Sequence, residues 1–213
     1  FNNMIFKICG LKTKESLLCC EENNVDFFGM IFYEISPRNI TFNEAEALIS
    51  TSKKLKIRPV GVFVDHEIND LKKIISSLSL KHIQLHGSED QLYIDEIKNQ
   101  FDVKIIKKIS INNSEDLNIN NKFKNIDYLL FDYKPDGDEL PGGNAKSFDW
   151  NLLKDQKINI PWFISGGINE TNVKNIQNLL NPNGIDLSSG VEVSKGIKSN
   201  SKINNLFKKF YDN

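Results

Sequence analysis

The sequence has no excess of either charge and no long apolar run. Its 213 residues carry 27 Lys and Arg against 28 Asp and Glu, a formal net charge of -1. Proteins that bind nucleic acid or an acidic membrane surface usually carry a clear excess of basic residues. No apolar stretch approaches the roughly 20 residues needed to cross a bilayer, and the Asn-rich start lacks the layout of a signal peptide. We therefore expect a cytoplasmic protein with neither a nucleic-acid nor a membrane partner.

Cysteine and the common cofactor motifs are also scarce. The chain has three cysteines, of which Cys19 and Cys20 are neighbours, so a disulfide framework of the secreted kind is not expected. The three His and three Cys show no zinc-ligand spacing. Neither a Walker loop nor a Gly-x-Gly-x-x-Gly motif follows the first predicted strand. We therefore expect no metal, no dinucleotide and no other cofactor.

What the sequence does contain is a regular alternation of two patterns. Short apolar blocks, typical of parallel strands covered on both faces, are each followed by a stretch with helical spacing. The strands are predicted at 4–9, 27–32, 58–64, 82–85, 104–109, 128–131, 162–164 and 185–187. The helices are predicted at 14–23, 42–55, 67–77, 89–100, 114–117, 149–154, 172–180 and 201–210. Thr13, Thr41 and Ser88 are the predicted N-caps of the first, second and fourth helices.

Eight such units in about 200 residues predict an α/β fold of the (β/α)8, or TIM-barrel, type rather than an open doubly wound sheet. We expect one barrel domain over 4–213, with residues 1–3 left out of the fold. The long irregular stretch is 132–146, where Pro135, Gly137, Pro141, Gly142 and Gly143 exclude regular structure. A loop of this length in a compact domain is usually a lid or a binding loop.

Four reactive side chains lie at or just after predicted strand ends: Cys9, Arg38, His86 and Asp132. In a TIM barrel these ends form one rim, which carries the chemistry. Arg38 offers donors for a carboxylate or a phosphate, although an Arg in a loop is as often a surface residue. His86 either orients a substrate or is a hydrogen-bonded rim histidine.

Asp132 and Cys9 are the candidates for proton transfer. Asp132 follows an apolar strand, whose surroundings raise a carboxyl pKa and suit the group to general acid work; a solvated Asp capping a turn is the alternative. A thiol has an ordinary pKa of roughly 8.5, so Cys9 needs a nearby positive charge, such as Lys7, to act as a base near neutrality. Otherwise Cys9 is a small buried hydrophobe, as most free cysteines are.

The turns after strands seven and eight are rich in glycine. Gly166, Gly167 and Gly190 allow backbone N–H groups to approach an anion, and a short helix opening at Val191 would aim its positive end at the same place. This corner of a TIM barrel commonly binds a phosphate. The alternative is that the glycines only form tight turns.

As a set, the strand-end peptides resemble the phosphoribosylanthranilate isomerase family of tryptophan biosynthesis. The peptides that carry the resemblance, in order, are Lys7-Ile8-Cys9-Gly10, Ser36-Pro37-Arg38, Gln84-Leu85-His86-Gly87, Phe131-Asp132, Gly142-Gly143 followed by Ser147-Phe148-Asp149-Trp150, Ser165-Gly166-Gly167-Ile168, and Asp186-Leu187-Ser188-Ser189-Gly190-Val191-Glu192. The resemblance implies a cofactor-free Amadori rearrangement of N-(5'-phosphoribosyl)anthranilate to the 1-deoxyribulose 5-phosphate derivative.

The resemblance also implies roles for single residues. Cys9 matches the family's general base and Asp132 its general acid, and Arg38 would pair with the anthranilate carboxylate. The remaining implied substrate-binding residues are Gly166, Gly167, Ser189 and Gly190 at the phosphate, and Gln84, His86, Asp186 and Ser188 along the pocket. The implied partner is the small-molecule substrate alone, and the implied assembly is a monomer or weak homodimer.

The sequence departs from the family at a few positions and leaves two alternatives open. The loop reads Gly142-Gly143-Asn144-Ala145-Lys146 where the family usually reads Gly-Gly-Thr-Gly, and Ser165 replaces a common Ala. The alternatives are another phosphosugar barrel, such as indole-glycerol-phosphate synthase, and a non-catalytic barrel that only binds a phosphorylated ligand. Cys9 argues against a second activity on the histidine-pathway substrate, which usually relies on aspartates.

Overall fold

Eight parallel strands pair in sequence order and close into a barrel, since β1 also pairs with β8. The computed structural model describes residues 4–117, 122–135 and 139–212. The strands are β1 Ile5–Cys9, β2 Phe27–Phe32, β3 Arg58–Phe63, β4 His82–Leu85, β5 Lys104–Ile111, β6 Tyr128–Tyr133, β7 Trp162–Ile164 and β8 Gly184–Leu187. The predicted (β/α)8 barrel is therefore confirmed.

Helices follow the strands on the outside of the barrel. In the described residues they are α1 Lys14–Glu22, α2 Phe42–Ser52, α3 Ile68–Leu78, α4 Gln91–Gln100, α5 Asn151–Lys154, α6 Val173–Leu179 and α7 Asn200–Tyr211. Between β5 and β6 the described residues contain a 3₁₀ turn, Ser114–Leu117, at the position of the predicted helix. None of these helices is long and apolar enough to cross a membrane.

The helix caps follow the sequence in two cases of three. Thr13 accepts a hydrogen bond from the Ser16 amide, and Thr41 forms a capping box at the start of α2. The prediction of Ser88 as a cap is wrong, because α4 begins at Gln91 and Asp90 accepts the bond from the Tyr93 amide. The Ser88 amide instead donates to Asp65, 2.7 Å away, which holds the strand-end loops of β3 and β4 together.

Two apolar layers flank the strands, which explains why they read as continuous apolar blocks. A small cluster fills the barrel interior and includes Phe27, Val62, Ile106, Leu130 and Phe163. The larger cluster lies between the strands and the helices. Since each strand is covered on both faces, its few polar side chains are buried among apolar ones, and those near the C-terminal ends form the site.

The chain after β8 differs from its prediction. A 3₁₀ turn, Ser189–Val191, leads into an antiparallel hairpin of β9 Glu192–Ser194 and β10 Ile197–Lys198. The predicted helix opening at Val191 is therefore wrong. Val191 and Val193 alternate with polar residues and are followed by a Lys195-Gly196 turn, a pattern that favours a hairpin over a helix.

The irregular 132–146 stretch begins later than predicted, because β6 continues to Tyr133 and includes Asp132. Its described part after Tyr133 contains no helix or strand, while Gly137 and its neighbours, 136–138, lie outside the described residues. The predicted domain 4–213 likewise includes 118–121 and 213, which lie outside the described residues together with 1–3.

Candidate active site

An open cavity lies at the C-terminal ends of the strands. Most of the predicted site residues line it together: Cys9, Arg38, His86, Asp132, Gly166, Gly167, Asp186, Ser188 and Ser189. The loop from Leu140 to Lys146 forms another part of the lining. The closed barrel therefore brings groups from distant parts of the chain to one place, as their positions at the strand ends predicted.

Asp132 is a buried carboxyl group in the last part of β6, opposite Ser110 of β5. Its Oδ1 accepts a hydrogen bond from the Tyr133 amide at 2.8 Å, and its Oδ2 lies 3.6 Å from Nε2 of His86. Burial raises the pKa of Asp132 to about 6, although the charge of Lys108 opposes the shift. A carboxyl group with this pKa retains a proton-bound fraction near neutral pH, as a general acid requires.

Cys9 ends β1 and is buried beside a buried ion pair. Nζ of Lys7 lies 2.9 Å from Oδ1 of Asp186, and both side chains are at most 7% exposed. Burial raises the pKa of the Cys9 thiol, while the charges of Lys7 and Lys198 act in the opposite direction. The nearby positive charge that a basic Cys9 needs is present in Lys7. Burial has the larger effect on the pKa of Cys9, so the thiol is the dominant form near neutral pH.

Arg38 lies in the β2–α2 loop and is held by Glu192 of β9. Arg38 Nε donates to Oε1 of Glu192 at 2.7 Å, and Nη2 donates to Oε2 at 2.8 Å. Nη2 also reaches the carbonyl of Gly143 at 3.3 Å, in the loop that lines the cavity. Arg38 is thus a buried, oriented guanidinium at the cavity and not a surface residue.

His86 connects the strand-end residues to the 140–146 loop. Its Nδ1 lies 2.7 Å from Nε2 of Gln84, and its Nε2 lies 3.2 Å from the carbonyl of Pro141. Burial, with the charges of Lys108 and Lys7, places the pKa of His86 well below its ordinary value, so the ring is neutral. Gln84 itself is fully buried and does not border the cavity; it supports His86 from within the barrel.

The turn after β7 presents free backbone donors to the cavity. Gly166 and Gly167 have φ angles of +91° and +65°, which L-residues with side chains rarely adopt. Within the described residues neither amide has a hydrogen-bond acceptor, whereas the carbonyl of Gly167 accepts bonds from Asn169 and Asn172. Unpaired amides at a cavity wall suit an anion.

Gly190 does not border the cavity, although Ser188 and Ser189 do. A side chain at Gly190 would lie 1.9 Å from the carbonyl oxygen of Ile168, so this glycine lets the β8 turn pack directly on the β7 turn. Its position therefore keeps the two turns together, while its predicted backbone contact with a phosphate stays a prediction.

Three charged residues of the site were not singled out from the sequence: Glu192, Lys198 and Lys108. Glu192 and Lys198 are buried partners across the β9–β10 hairpin, and Lys108 is a buried side chain of β5 that acts electrostatically on Asp132. A lysine or glutamate in a polar sequence looks like a solvated surface residue. One indication was available for Lys108, since this residue lies within a predicted strand and buried strands enclose their side chains.

No cluster of His, Cys, Asp and Glu side chains in the described ranges has the arrangement of a metal site. The cavity is lined by a carboxylic acid, a thiol beside cations, a guanidinium and unpaired amides. Together with the fold, this set is typical of a (β/α)8-barrel enzyme that binds small anionic molecules.

Residues 6–209 match the family model described as N-(5'phosphoribosyl)anthranilate (PRA) isomerase. The chain belongs to this family. It is 40% identical over 199 residues to the N-(5'-phosphoribosyl)anthranilate isomerase of Zymomonas mobilis, covering 92% of this chain and 93% of that protein.

Solved structures agree with this membership. The phosphoribosyl anthranilate isomerase of Thermotoga maritima superposes with a TM-score of 0.83 at 29% identity, covering 97% of this chain and 98% of that one. A second isomerase structure, in complex with reduced 1-(o-carboxyphenylamino)-1-deoxyribulose 5-phosphate, superposes with a TM-score of 0.79 at 28% identity, over 97% of this chain and 98% of that one.

Proposed function

We propose that this protein is a phosphoribosylanthranilate isomerase of tryptophan biosynthesis, an aldose–ketose isomerase that needs no cofactor. The observation that carries the proposal is that Asp132 and Cys9 line one cavity with Arg38 and the unpaired amides of Gly166 and Gly167. Family membership over nearly the whole chain supports the same reaction.

Asp132 is the proposed general acid. Its raised pKa, about 6, lets it donate a proton to the furanose ring oxygen of the substrate, so that the C1'–O bond breaks and the ring opens to a Schiff base. The neutral ring of His86 lies 3.6 Å from Oδ2 of Asp132, so it borders the carboxyl group without adding charge.

Cys9 is the proposed general base. It removes the proton from C2' of the Schiff base, the C2'–H electron pair forms the C1'=C2' double bond, and the C1'=N pair returns to the nitrogen. The resulting enolamine tautomerises to the ketone product by losing the proton of its C2' hydroxyl group and gaining one at C1'. The thiolate is the minor form of the buried cysteine, and the positive charges of Lys7 and Lys198 are what stabilise it. Asp186 in turn fixes the position of Lys7 at 2.9 Å.

The two anionic ends of the substrate are assigned to separate donors. Arg38 receives the anthranilate carboxylate, because a guanidinium matches a carboxylate with paired N–H donors. The turns at Gly166–Gly167 and Ser188–Ser189 receive the phosphate through backbone N–H groups. The ligand of the isomerase structure described above carries both groups, a phosphate and a carboxyphenyl ring.

A cytoplasmic location and a monomer or weak homodimer are part of the proposal. The three cysteines are free and buried, a state that reducing compartments preserve. The proposed binding partner is the small-molecule substrate.

Purified protein added to freshly generated phosphoribosylanthranilate tests the function, with indole-glycerol-phosphate synthase present to remove the product. We expect the substrate fluorescence to decay in proportion to the amount of protein added. Binding of the reduced product analogue without any turnover would instead identify a non-catalytic barrel, and failure of both would reject the ligand class as well.

A further inference from the structure

We infer that Glu192 is a positioning residue that fixes the guanidinium of Arg38 for the substrate carboxylate, while Lys198 offsets the negative charge of Glu192. The inference rests on the proposed function, because it assigns Arg38 to the carboxylate of the anthranilate ring. Neither Glu192 nor Lys198 lines the cavity, and Glu192 acts through Arg38.

The contact between Glu192 and Arg38 fixes both the position and the plane of the guanidinium. Two parallel bonds, 2.7 Å and 2.8 Å long, join Nε and Nη2 of Arg38 to the two carboxylate oxygens. The two side chains are only 3% and 4% exposed, so water does not compete for these donors. Such a bidentate pair restricts rotation about the last bonds of the arginine side chain.

The same contact decides which donors of Arg38 remain for a ligand. A guanidinium has five N–H groups. Glu192 takes one from Nε and one from Nη2, and the Gly143 carbonyl takes the second from Nη2 at 3.3 Å. Nη1 makes no hydrogen bond to any residue in the described part of the chain, so its two donors are free at the cavity that Arg38 lines.

The β9–β10 hairpin holds Glu192 in place. Lys198 is the cross-strand partner of Glu192, and its Nζ lies 2.7 Å from Oε1 of Glu192 and 3.1 Å from the carbonyl of Ser188. The turn of the hairpin packs directly against the residue before Arg38, since a side chain at Gly196 would lie 2.5 Å from the carbonyl oxygen of Pro37.

The positive charge of Lys198 is what the pair of Arg38 and Glu192 requires. Glu192 alone would neutralise Arg38, so this group would present no net positive charge to the substrate carboxylate. With two cations around one carboxylate, the group as a whole keeps a charge of +1. A purely structural ion pair would also be buried, but it would not affect which ligands bind.

The test is Glu192→Gln, with two ligands that differ only in the carboxylate. An amide supplies one oxygen and one NH2 group, so at least one of the three contacts made by Glu192 is replaced by two donors facing each other. The ligands are the reduced product analogue and the same molecule with an unsubstituted phenyl ring. Titration calorimetry measures Kd for each.

We expect Kd of the carboxylate-bearing ligand to rise on the order of 10-fold, as loss of a charge-assisted bond predicts, and Kd of the other ligand to change by less than about 2-fold. In turnover assays KM should rise more than kcat falls. In the Arg38→Met background, Glu192→Gln should have no further effect on Kd, because the residue acts through Arg38.

Asp127→Asn is the matched control. Asp127 also holds two cations, Lys98 at 2.6 Å and Lys104 at 2.9 Å, but it precedes β6 and lies at the opposite end of the barrel. It should lower the melting temperature without changing the ratio of the two Kd values.

Equal weakening of both ligands by Glu192→Gln, or an undiminished effect in the Arg38→Met background, would show a structural role and overturn the inference while leaving the proposed function intact. Failure of the wild-type protein to bind either ligand would overturn the proposed function and the inference with it.

Discussion

The burial of Asp132 suits its proposed role as an acid but lowers the stability of the folded protein. Its function requires a proton near neutral pH, which the low polarity around the end of β6 provides. The same burial penalises the ionised carboxylate, so the folded state is less stable when Asp132 is charged. The pKa rises from an ordinary 3.8 to about 6, and between these values the unfolded chain releases the proton while the folded protein retains it.

Asp132→Asn should therefore stabilise the protein at pH 8 and have little effect at pH 4. The destabilising effect of the carboxylate develops as pH rises from 3.8 to about 6, so at pH 8 its removal should add about 2–3 kcal/mol to the free energy of unfolding. Thermal unfolding at the two pH values measures this difference. Asp102→Asn, at an exposed position, should change neither value, and an equal gain at both pH values for Asp132→Asn would exclude ionisation as the cause.

Single residues also show how far the sequence predicts this site. The apolar run Leu129-Leu130-Phe131 predicted that the carboxyl group of Asp132 is partly shielded from water, because a buried strand leads directly to it. Contacts between elements were not predictable in this way: Arg38 and Glu192 are separated by 154 positions. Only the folded chain brings the β2–α2 loop and the β9–β10 hairpin together, so the sequence left open whether Arg38 binds a ligand or lies on the surface, and gave no sign of its partner.

At the scale of elements, the turn after β7 is shaped by backbone constraints. Two consecutive glycines with positive φ expose their amides, and two asparagine side chains hold the Gly167 carbonyl in the turn. The turn also packs closely against 146–147, because a side chain at Gly167 would lie 3.1 Å from the carbonyl carbon of Lys146. A side chain at Gly167 would therefore be strained and would press against the backbone of Lys146.

Gly167→Ala should weaken binding of the phosphate group. Alanine is strained at a φ of +65°, so the turn should shift and its amides should lose their alignment. We expect KM for phosphoribosylanthranilate and Kd for inorganic phosphate to rise about 10-fold, as loss of one or two hydrogen bonds implies. Asn24→Ala also places alanine at a positive φ, +56°, but in the α1–β2 turn at the other end of the barrel, and it should leave phosphate affinity unchanged. The same loss of affinity in both variants would contradict a phosphate site at the β7 turn.

Elements with a strong local pattern were predicted, and those that depend on distant contacts were not. The strands and most helices follow from apolar blocks and helical spacing, which act within a few residues. The β9–β10 hairpin was missed because the sequence after the glycine turn predicts a short helix opening at Val191. In the structure Glu192 and Lys198 pair across two short strands that pack on the β2–α2 loop.

At the scale of the molecule, the last helix closes the barrel onto its first strand. Phe207 and Phe210 of α7 contact the ring of Phe6 on β1, each with ring centroids 4.8 Å apart. The first strand and helix α7 therefore pack together, and the position of β1, which carries Lys7 and Cys9, depends on residues some 200 positions later.

Phe207→Ala should destabilise the whole barrel and not only its C-terminus. Removing a ring that is 2% exposed leaves a cavity against β1, and such losses cost about 3–5 kcal/mol. Chemical denaturation followed by both fluorescence and circular dichroism should show one transition at a lower midpoint. Leu92→Ala, at a residue that is 77% exposed, should change the free energy of unfolding by less than about 0.5 kcal/mol. A separate early transition would mean that α7 unfolds independently.

The most direct test of the acid–base assignment compares wild-type protein with Asp132→Asn and Cys9→Ser, measuring phosphoribosylanthranilate turnover and Kd of the reduced product analogue on the same samples. We expect each variant to lose a factor on the order of 10³ in turnover, as removal of a general acid or base implies, while Kd changes by a few-fold at most. Cys19→Ser, in helix α1, should retain wild-type turnover. Near-normal turnover in both Asp132→Asn and Cys9→Ser would contradict the assignment of these two groups to proton transfer.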